Sequence, residues 1–300
     1  MTRMMTSLLI ALAISFAAAG PAQAKTKVVV TYPYIASLVG EIAKDQAEVS
    51  TLAKGDEDPH FVVPRPSFIG KLRQADLLII NGASLEIGFV PPLIRQANNP
   101  KIMPGAEGLV DLSQAVNLIE KPDNVSRSEG DIHPEGNPHF ILDWHNVPAV
   151  ARFIADALGR VDRSGASTYQ KNLEVFLARW KVKAAEWDKK AAPLRGKSVI
   201  QYHRLFNYFV LRTGMKIVGE LEPKPGIPPT SRHIEDLMQG NAPGSVYMIV
   251  SDPYHEQKTP EGLAKKMSIP WVVLPQDVSA VPAAKDMFSM FDTLLASVLR

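Results

Sequence analysis

Short buried strands and amphipathic helices alternate along the hydrophobic pattern of this chain. A β-branched run at 28–31, "VVVT", precedes a segment whose apolar residues Ile35, Leu38, Val39 and Ile42 have the spacing of one helix face. The order then repeats, with "AEVSTLA" as a predicted strand, "RPSFIGKLRQA" as a helix and "DLLIING" as a buried strand. Such alternation is typical of βα units that build a mainly parallel sheet.

The second half of the chain repeats this alternation after a long helical segment. Its predicted strands are "SVIQYH", "MKIVGEL", "SVYMIVSD" and "WVVLP", with helices between them. The preceding residues, 165–194, contain few helix breakers, and their apolar positions, Val182 among them, follow a loose helical stripe. A helix of this length reaches about 40 Å, more than one small lobe. We therefore predict two similar α/β lobes with parallel sheets, joined by one long helix.

This pattern divides the chain into four segments. Residues 1–24 form a predicted signal peptide, 25–164 the first lobe, 165–194 the linking helix and 195–300 the second lobe. The first lobe contains a polar stretch, 120–138, that lacks periodicity and is rich in glycine, proline and acidic residues. A loop of about twenty residues is unusual inside a compact domain and is often functional.

The amino-terminal segment predicts an exported protein. It has one cation, Arg3, then an apolar run at Leu8–Ala19 and the small-x-small triplet Ala22–Ala24. This is the pattern of a cleavable secretory signal, and the apolar run is shorter than the ~20 residues of a membrane span. The sequence has no cysteine, and hence no thiol for a disulfide or a lipid. We expect a periplasmic protein, free in solution and not lipid-anchored.

Charge and composition narrow the range of partners. The sequence has 33 basic and 31 acidic residues, and removal of Arg3 with the signal leaves 32 − 31 = +1. A balance this close to zero argues against nucleic acid or an anionic membrane surface, since both favour clustered Lys and Arg. With 46% hydrophobic residues the chain can bury a core, and its length favours two lobes over one.

Without cysteine, any metal or catalytic site must use histidine, acidic and hydroxyl side chains. Among seven histidines, His60, His139 and His203 lie at predicted strand–loop–helix junctions, where α/β sheets bind ligands. Two of them have nearly the same neighbours, each lying between Pro and Phe: His60 in "DPHF" and His139 in "NPHF". The sequence has no His-Glu-x-x-His motif, no glycine-rich phosphate loop and no Gly-x-Ser-x-Gly elbow. Because the three histidines are far apart in sequence, spacing alone leaves a shared metal site open.

Several motifs together give a resemblance that covers the chain from Lys27 to the final helix. They are "DEDPHFVVPRPSFIGKLRQADLLIING", "NGASLE", "NPHFILD" ahead of a helix, and "QYHRLFNYFVLRTGM" at the opening of the second half. With the order of lobe, long helix and lobe, the chain resembles the metal-binding solute receptors of ABC importers called cluster A-I, the zinc/manganese receptors, and in particular their zinc-type subgroup. The resemblance implies a binding protein rather than an enzyme, with its metal site in the cleft between the lobes.

The resemblance also implies a set of ligands. His60, His139 and His203 match the three histidine positions, and Asp277 in "LPQDVSAVP" matches the usual carboxylate, with Asp252 in "SDPYHE" as the alternative. Manganese receptors of the family usually have Glu where His203 stands, and nitrogen ligands favour Zn²⁺ over Mn²⁺. We therefore expect Zn²⁺, although Mn²⁺, Cu²⁺ or Ni²⁺ would also bind such a set in vitro.

The long loop holds two accessory candidates. His133 and Asp131 lie in "GDIHPEGN", beside His139, where zinc receptors of the family often have a loop rich in histidine and acidic residues. One interpretation is a collar that captures zinc or is recognised by a partner that delivers it. The alternative is a solvated surface loop.

Together these features predict one function. We expect a monomeric periplasmic zinc receptor that delivers Zn²⁺ to the membrane permease of an ABC importer, with or without loading by a periplasmic zinc chaperone. Two alternatives are a zinc-dependent hydrolase, which would need an open water position and a general base, and a metal-binding adhesin.

Overall fold

Two parallel sheets lie on either side of a long helix in the computed structural model, which describes residues 25–123, 130 and 133–299. The predicted signal peptide and Asp131 lie outside these residues. The predicted fold, two α/β lobes joined by one long helix, is confirmed. Among the described helices, none combines the length and the apolar composition needed to cross a membrane.

The first sheet has four parallel strands in the order β2-β1-β3-β4. Val28, Val29 and Val30 of β1 are buried, as expected for an inner strand covered on both faces. The elements of this lobe are β1 (Thr26–Val30), α1 (Pro33–Ala43), β2 (Ala47–Thr51), α2 (Pro66–Gln74), β3 (Leu77–Ile80), α3 (Val90–Ala97), β4 (Leu109–Asp111) and α4 (Val147–Val161).

The second sheet repeats this topology, with four parallel strands in the order β6-β5-β7-β8. The linking helix α5 (Ala166–Ala191) precedes it. The elements of this lobe are β5 (Ser198–Gln201), α6 (Asn207–Thr213), β6 (Lys216–Glu220), α7 (Ser231–Gly240), β7 (Met248–Ser251), α8 (Lys258–Met267), β8 (Trp271–Val273) and α9 (Met287–Val298).

Helix α5 packs between the two lobes through large aromatic side chains. Trp180 and Trp187 of α5 are buried, and their rings lie 5.7 and 5.2 Å from the ring of Phe291 in α9. Trp144, from the first lobe, lies 5.8 Å from the same ring. Val182 was expected on the buried stripe, but it is 61% exposed because it faces away from this cluster.

The carboxyl ends of the strands of both sheets carry the predicted histidines. In each sheet the order reverses beside the first strand, which is the position where α/β folds bind ligands. His60 lies between β2 and α2, and His203 lies two residues beyond the end of β5. His139 lies in the segment between β4 and α4. The two lobes therefore present their loops to a common cleft.

Candidate metal centre

Three histidines that are distant in sequence lie together in the cleft. One ring nitrogen of each of His60, His139 and His203 lies within 4.8 Å of the others. The ring centroids of His60 are 5.1 Å from those of His139 and of His203, and the latter two are 5.9 Å apart. A tetrahedral zinc ion places its ligand atoms about 3.4 Å apart, so a small inward movement of the rings would complete a three-nitrogen set.

The two Pro-His-Phe copies form the same local turn. The Oδ1 atom of Asp58 accepts the backbone N–H of His60 at 2.9 Å, and Oδ1 of Asn137 accepts that of His139 at 3.0 Å. An Asp or Asn that bonds its own backbone two residues on is a standard turn former, and the intervening proline stiffens it. Each tetrapeptide therefore fixes the backbone directly at its histidine.

Carboxylates orient two of the three rings. Oδ1 of Asp58 lies 2.8 Å from Nδ1 of His60, and Oε2 of Glu222 lies 2.7 Å from Nδ1 of His203. A carboxylate can only accept, so each Nδ1 donates its proton to the bond, and in pairs of this type Nε2 is the nitrogen that serves as the metal ligand. Asn137 is held differently: its Oδ1 accepts the backbone N–H of His139, and its amide nitrogen donates to Glu120 and to the carbonyl oxygen of Arg204.

The electrostatics of the cleft favour a bound cation. Burial, reinforced by the nearby rings of His60 and His203, lowers the pKa of His139 well below its usual value, so this ring is neutral at pH 7. Burial alone would raise the pKa of Glu222, but hydrogen bonds from His203 and His255 outweigh it and lower the pKa to about 2. Asp58 and Glu222, both with a lowered pKa, thus place two negative charges behind the rings of His60 and His203, which matches a divalent ion.

The predicted carboxylate ligands occupy different places. Asp277 is outside the three-histidine group, although it lines the same small cavity as His139. Its Oδ1 accepts the backbone N–H groups of Tyr34 and Val278 at 2.7 and 2.6 Å, and burial raises its pKa well above the usual range. Asp252, the alternative, is fully buried, and its Oδ2 lies 2.8 Å from Nδ1 of His255.

His133 lies at the edge of the cluster. Its ring centroid is 5.4 Å from that of His60 and 6.5 Å from that of His139. Nδ1 donates to the carbonyl oxygen of Ala83 at 3.0 Å, and Nε2 is buried without a hydrogen-bond partner among the described residues. Burial, helped by the His60 ring, lowers its pKa to about 3. His133 therefore has a neutral ring whose Nε2 could ligate a metal beside His60, His139 and His203.

Two residues of the site were missed in the sequence. Glu222 bonds His203, and Nε2 of His255 lies 3.4 Å from the Glu222 carboxylate. Both follow strands, Glu222 after β6 and His255 after β7, at the edge of the sheet where ligands bind. That position was the available signal, but neither residue stands in a motif that distinguishes it from other loop residues.

A family model matches this chain along nearly its whole length. Residues 28–298 match the family described as ZnuA, zinc-uptake complex component A periplasmic. The crystal structure of a ZnuA superposes with a TM-score of 0.75 at 21% identity, covering 92% of this chain and 98% of that one. At this identity the superposition shows the shared fold alone.

Characterised relatives are named as metal receptors. SsaB of Streptococcus sanguinis, a metal ABC transporter substrate-binding lipoprotein, is 28% identical over 62% of this chain and 58% of its own length. PsaA of Streptococcus pneumoniae, a manganese ABC transporter substrate-binding lipoprotein, is 25% identical over 82% of this chain and 78% of its own. AdcA of Streptococcus pneumoniae, a zinc-binding lipoprotein, is 22% identical over 82% of this chain, which spans about half, 48%, of AdcA.

These relatives contradict the expectation of a protein without a lipid anchor. SsaB, PsaA and AdcA are all named lipoproteins, a class that is held at the membrane by lipid. The expectation rested on the lack of cysteine in this sequence, and an absence of that kind does not outweigh the relatives. A location on the outer side of the cytoplasmic membrane agrees both with the predicted signal peptide and with the lipoprotein relatives.

Proposed function

Because the chain belongs to the family of ZnuA, the zinc-uptake component, we propose that the cargo of this metal receptor is Zn²⁺. The members of this family are substrate-binding components of metal ABC transporters and not enzymes. The family alone does not fix the ion, since PsaA is named for manganese and AdcA for zinc. The choice of zinc comes from the residues of the cleft.

The observation that carries the proposal is the cluster of His60, His139 and His203. Three imidazole nitrogens suit Zn²⁺, whereas Mn²⁺ prefers carboxylate, carbonyl and water oxygens. Cu²⁺ and Ni²⁺ also accept nitrogen ligands, so the site is selective against manganese more than against these ions.

For the fourth position we propose Asp277, with His133 as the competing donor. Asp277 lines the cavity beside His139, and a nearby cation would favour its ionised form. His133 has a buried Nε2 that no described residue bonds, and it would add a fourth nitrogen. A closed set of four protein ligands is typical of binding sites, whereas a catalytic zinc keeps one position open.

The proposed delivery partner is the membrane permease of an ABC importer. The support for this partner is the family, whose members act as the substrate-binding part of such transporters. Monomeric state and loading by a zinc chaperone stay predictions.

Metal analysis and competition titration test the proposal. We expect the wild-type protein to bind one Zn²⁺ tightly against a chromophoric chelator and to prefer Zn²⁺ to Mn²⁺. His203→Ala should weaken zinc binding by a factor of about 100 or more, because losing one of three clustered nitrogens should cost at least as much as the roughly 10–100-fold lost with an orienting partner. His145→Ala is the matched control, since His145 bonds Asp188 outside the cleft.

The same titration decides the fourth ligand. If Asp277→Ala weakens zinc binding and His133→Ala does not, Asp277 completes the set; the reverse result assigns His133. A wild-type protein that binds Mn²⁺ more tightly than Zn²⁺, or a His203→Ala variant that binds zinc as the wild type does, would overturn the proposal.

A further inference from the structure

Behind His203 lies a row of side chains, joined by two hydrogen bonds and one ion-pair contact, that reaches into the second lobe. Nδ1 of His203 donates to Oε2 of Glu222 at 2.7 Å, and Oε1 of Glu222 lies 3.4 Å from Nε2 of His255. Nδ1 of His255 lies 2.8 Å from Oδ2 of Asp252. These four residues connect the loops after β5, β6 and β7.

Asp252 and His255, the two residues farthest from the metal site in this row, are rigidly held. Asp252 is fully buried, and its Oδ1 accepts the backbone N–H groups of Tyr254 and His255 at 3.2 and 3.0 Å. The His255 ring stacks on Tyr202, with centroids 4.2 Å apart and an interplanar angle of 18°, and lies 4.5 Å from the ring of Tyr254. His255 therefore has little freedom to rotate, and it presents Nε2 to the carboxylate.

The carboxylate of Glu222 is held from several sides. Besides His203 and His255, the backbone N–H of Gly226 donates to Oε2 at 3.0 Å. The side chain of Glu222 is 5% exposed, so water offers little competition for these bonds. A buried carboxylate with three donors around it has a fixed orientation.

From this geometry we propose that Glu222, clamped by His255 and Asp252, is the positioning residue of the metal site. It keeps the proton of His203 on Nδ1 and aims Nε2 at the ion. The proposal rests on the zinc-receptor function proposed above and extends it from the ligands to the residues that orient them. Partners of this type fix the tautomer and the ring orientation of metal-binding histidines.

If Glu222 positions the His203 ring, substitutions of Glu222 and of His255 should have effects of different size. Glu222 bonds His203 directly at 2.7 Å, whereas the His255 ring lies 6.0 Å from the His203 ring and its polar contact with it runs through Glu222. Loss of Glu222 should therefore weaken zinc binding more than loss of His255. Each change should alter the state of the His203 ring before any metal is added, because the hydrogen bond from Nδ1 of His203 to Glu222 does not involve the metal.

The experiment combines zinc titration with the tautomer of His203. Glu222→Leu removes the acceptor, and Glu222→Gln keeps its shape and one acceptor oxygen. His255→Phe keeps the stacking on Tyr202 but removes the polar contacts with Glu222 and Asp252. Glu220→Leu is the matched control, since Glu220 lies two residues away and bonds Arg204 at 2.8 Å. Long-range ¹H–¹⁵N NMR spectra of the metal-free proteins report which nitrogen of His203 carries the proton.

We expect Glu222→Leu to weaken zinc binding about 10–100-fold, the usual effect of losing such a partner. Glu222→Gln should retain part of the affinity, and His255→Phe should lose less than Glu222→Leu. His203 should be the Nδ1–H tautomer in the wild type and in Glu220→Leu, and it should lose this preference in Glu222→Leu.

Two results would overturn the proposal: zinc affinity unchanged in Glu222→Leu, or affinity lost while His203 keeps its Nδ1–H tautomer. The second would mean that Glu222 has a general structural role only. If Glu222→Leu does not fold, His255→Phe is judged by the same two readouts. A wild-type protein without zinc affinity would remove the proposed function, but the tautomer of His203 would still decide whether Glu222 orients the ring.

Discussion

Glu86, in the "NGASLE" motif, is a buried carboxyl group below the loops of the first lobe. Its exposure is 3%, and its Oε1 accepts from the Thr31 hydroxyl at 2.7 Å and from the Asn81 backbone N–H at 2.6 Å. The backbone N–H of Gly82 donates to Oε2 at 3.1 Å. Burial nevertheless raises the pKa of Glu86 to about 7.

This shift predicts a pH dependence of stability. A carboxyl group with a raised pKa in the folded protein favours folding when protonated, so its contribution is complete below about pH 4.5 and is lost as the pH rises through about 7. Glu86→Gln cannot ionise. We therefore compare the free energy of unfolding of Glu86→Gln with that of the wild type. Relative to the wild type, the variant should become more stable by up to about 3 kcal/mol as the pH rises from 4.5 to 8.

Urea unfolding at a series of pH values measures this difference. Glu41→Gln is the matched control, because Glu41 forms a surface ion pair with Arg179 and such exposed pairs contribute little to stability. A difference that stays constant from pH 4.5 to 8 for Glu86→Gln would contradict the prediction.

At the same scale, the sequence could predict the residues that stand in motifs. His60 and His139 follow turn-forming Asp-Pro and Asn-Pro pairs, and the structure brings both beside His203. Glu222 and His255 could not be identified, because their roles depend on a contact between loops from separate strands. That contact follows from the packing of the second lobe, which no local pattern encodes.

Helix α6 of the second lobe holds both ends of the polar loop of the first lobe. The Tyr208 hydroxyl donates to the carbonyl oxygen of Asn137 at 2.9 Å and accepts the backbone N–H of Ile119 at 3.1 Å. Arg212 of the same helix binds Asp143 through two hydrogen bonds of 2.7 and 2.9 Å. The segment that carries His139 is thus fixed by the lobe that supplies His203.

A second contact between elements joins the loop after β2 to the loop after β8. Gly55 lies so close to this loop that an added Cβ would overlap the carbonyl oxygen of Val278 and lie 2.8 Å from the backbone nitrogen of Ala280. The Gln276 side chain also donates to the carbonyl oxygen of Gly55 at 2.6 Å. Only glycine permits this approach, and the approach places the Asp277 loop against the first lobe.

Gly55→Ala should therefore separate these loops. We expect the free energy of unfolding to fall by about 1–3 kcal/mol, the usual cost of overpacking, and zinc binding to weaken. Gly40→Ala is the control, because nothing lies within 4 Å of its added Cβ in helix α1, where alanine should stabilise by roughly 0.5–1 kcal/mol. Chemical denaturation measures both, and a Gly55→Ala protein as stable as the wild type would refute the close approach.

The positions of the strands and helices were easier to predict from the sequence than which side of each helix is buried. The alternation of strands and helices followed from runs such as "DLLIING", whose residues Leu77, Leu78 and Ile79 are fully buried. The buried face of α5 was harder to predict, since both lobes pack on this helix and the pattern of its apolar residues is not one stripe. Val182 shows the consequence, an apolar residue that faces solvent.

At the scale of the whole molecule, α5 ties the lobes into one unit. Asn172 and Arg179 of this helix bond Ile42 and Glu41 of α1, both at 2.9 Å, and Trp187 bonds Asp292 of α9 at 2.9 Å. One hydrophobic core contains residues of both lobes. Opening the cleft widely would break this core, so the lobes should move little when metal binds.

The lack of cysteine allows a direct test of this rigidity. Spin labels at Arg73→Cys in α2 and Glu235→Cys in α7, both exposed, report the distance between the lobes. The pair Arg73→Cys and Arg95→Cys, within the first lobe, is the control. We expect the distance distribution between the lobes to shift on zinc addition by no more than that of the control pair. A clear shortening confined to the interlobe pair would show hinge closure, and the continuous core would then have to divide between the lobes.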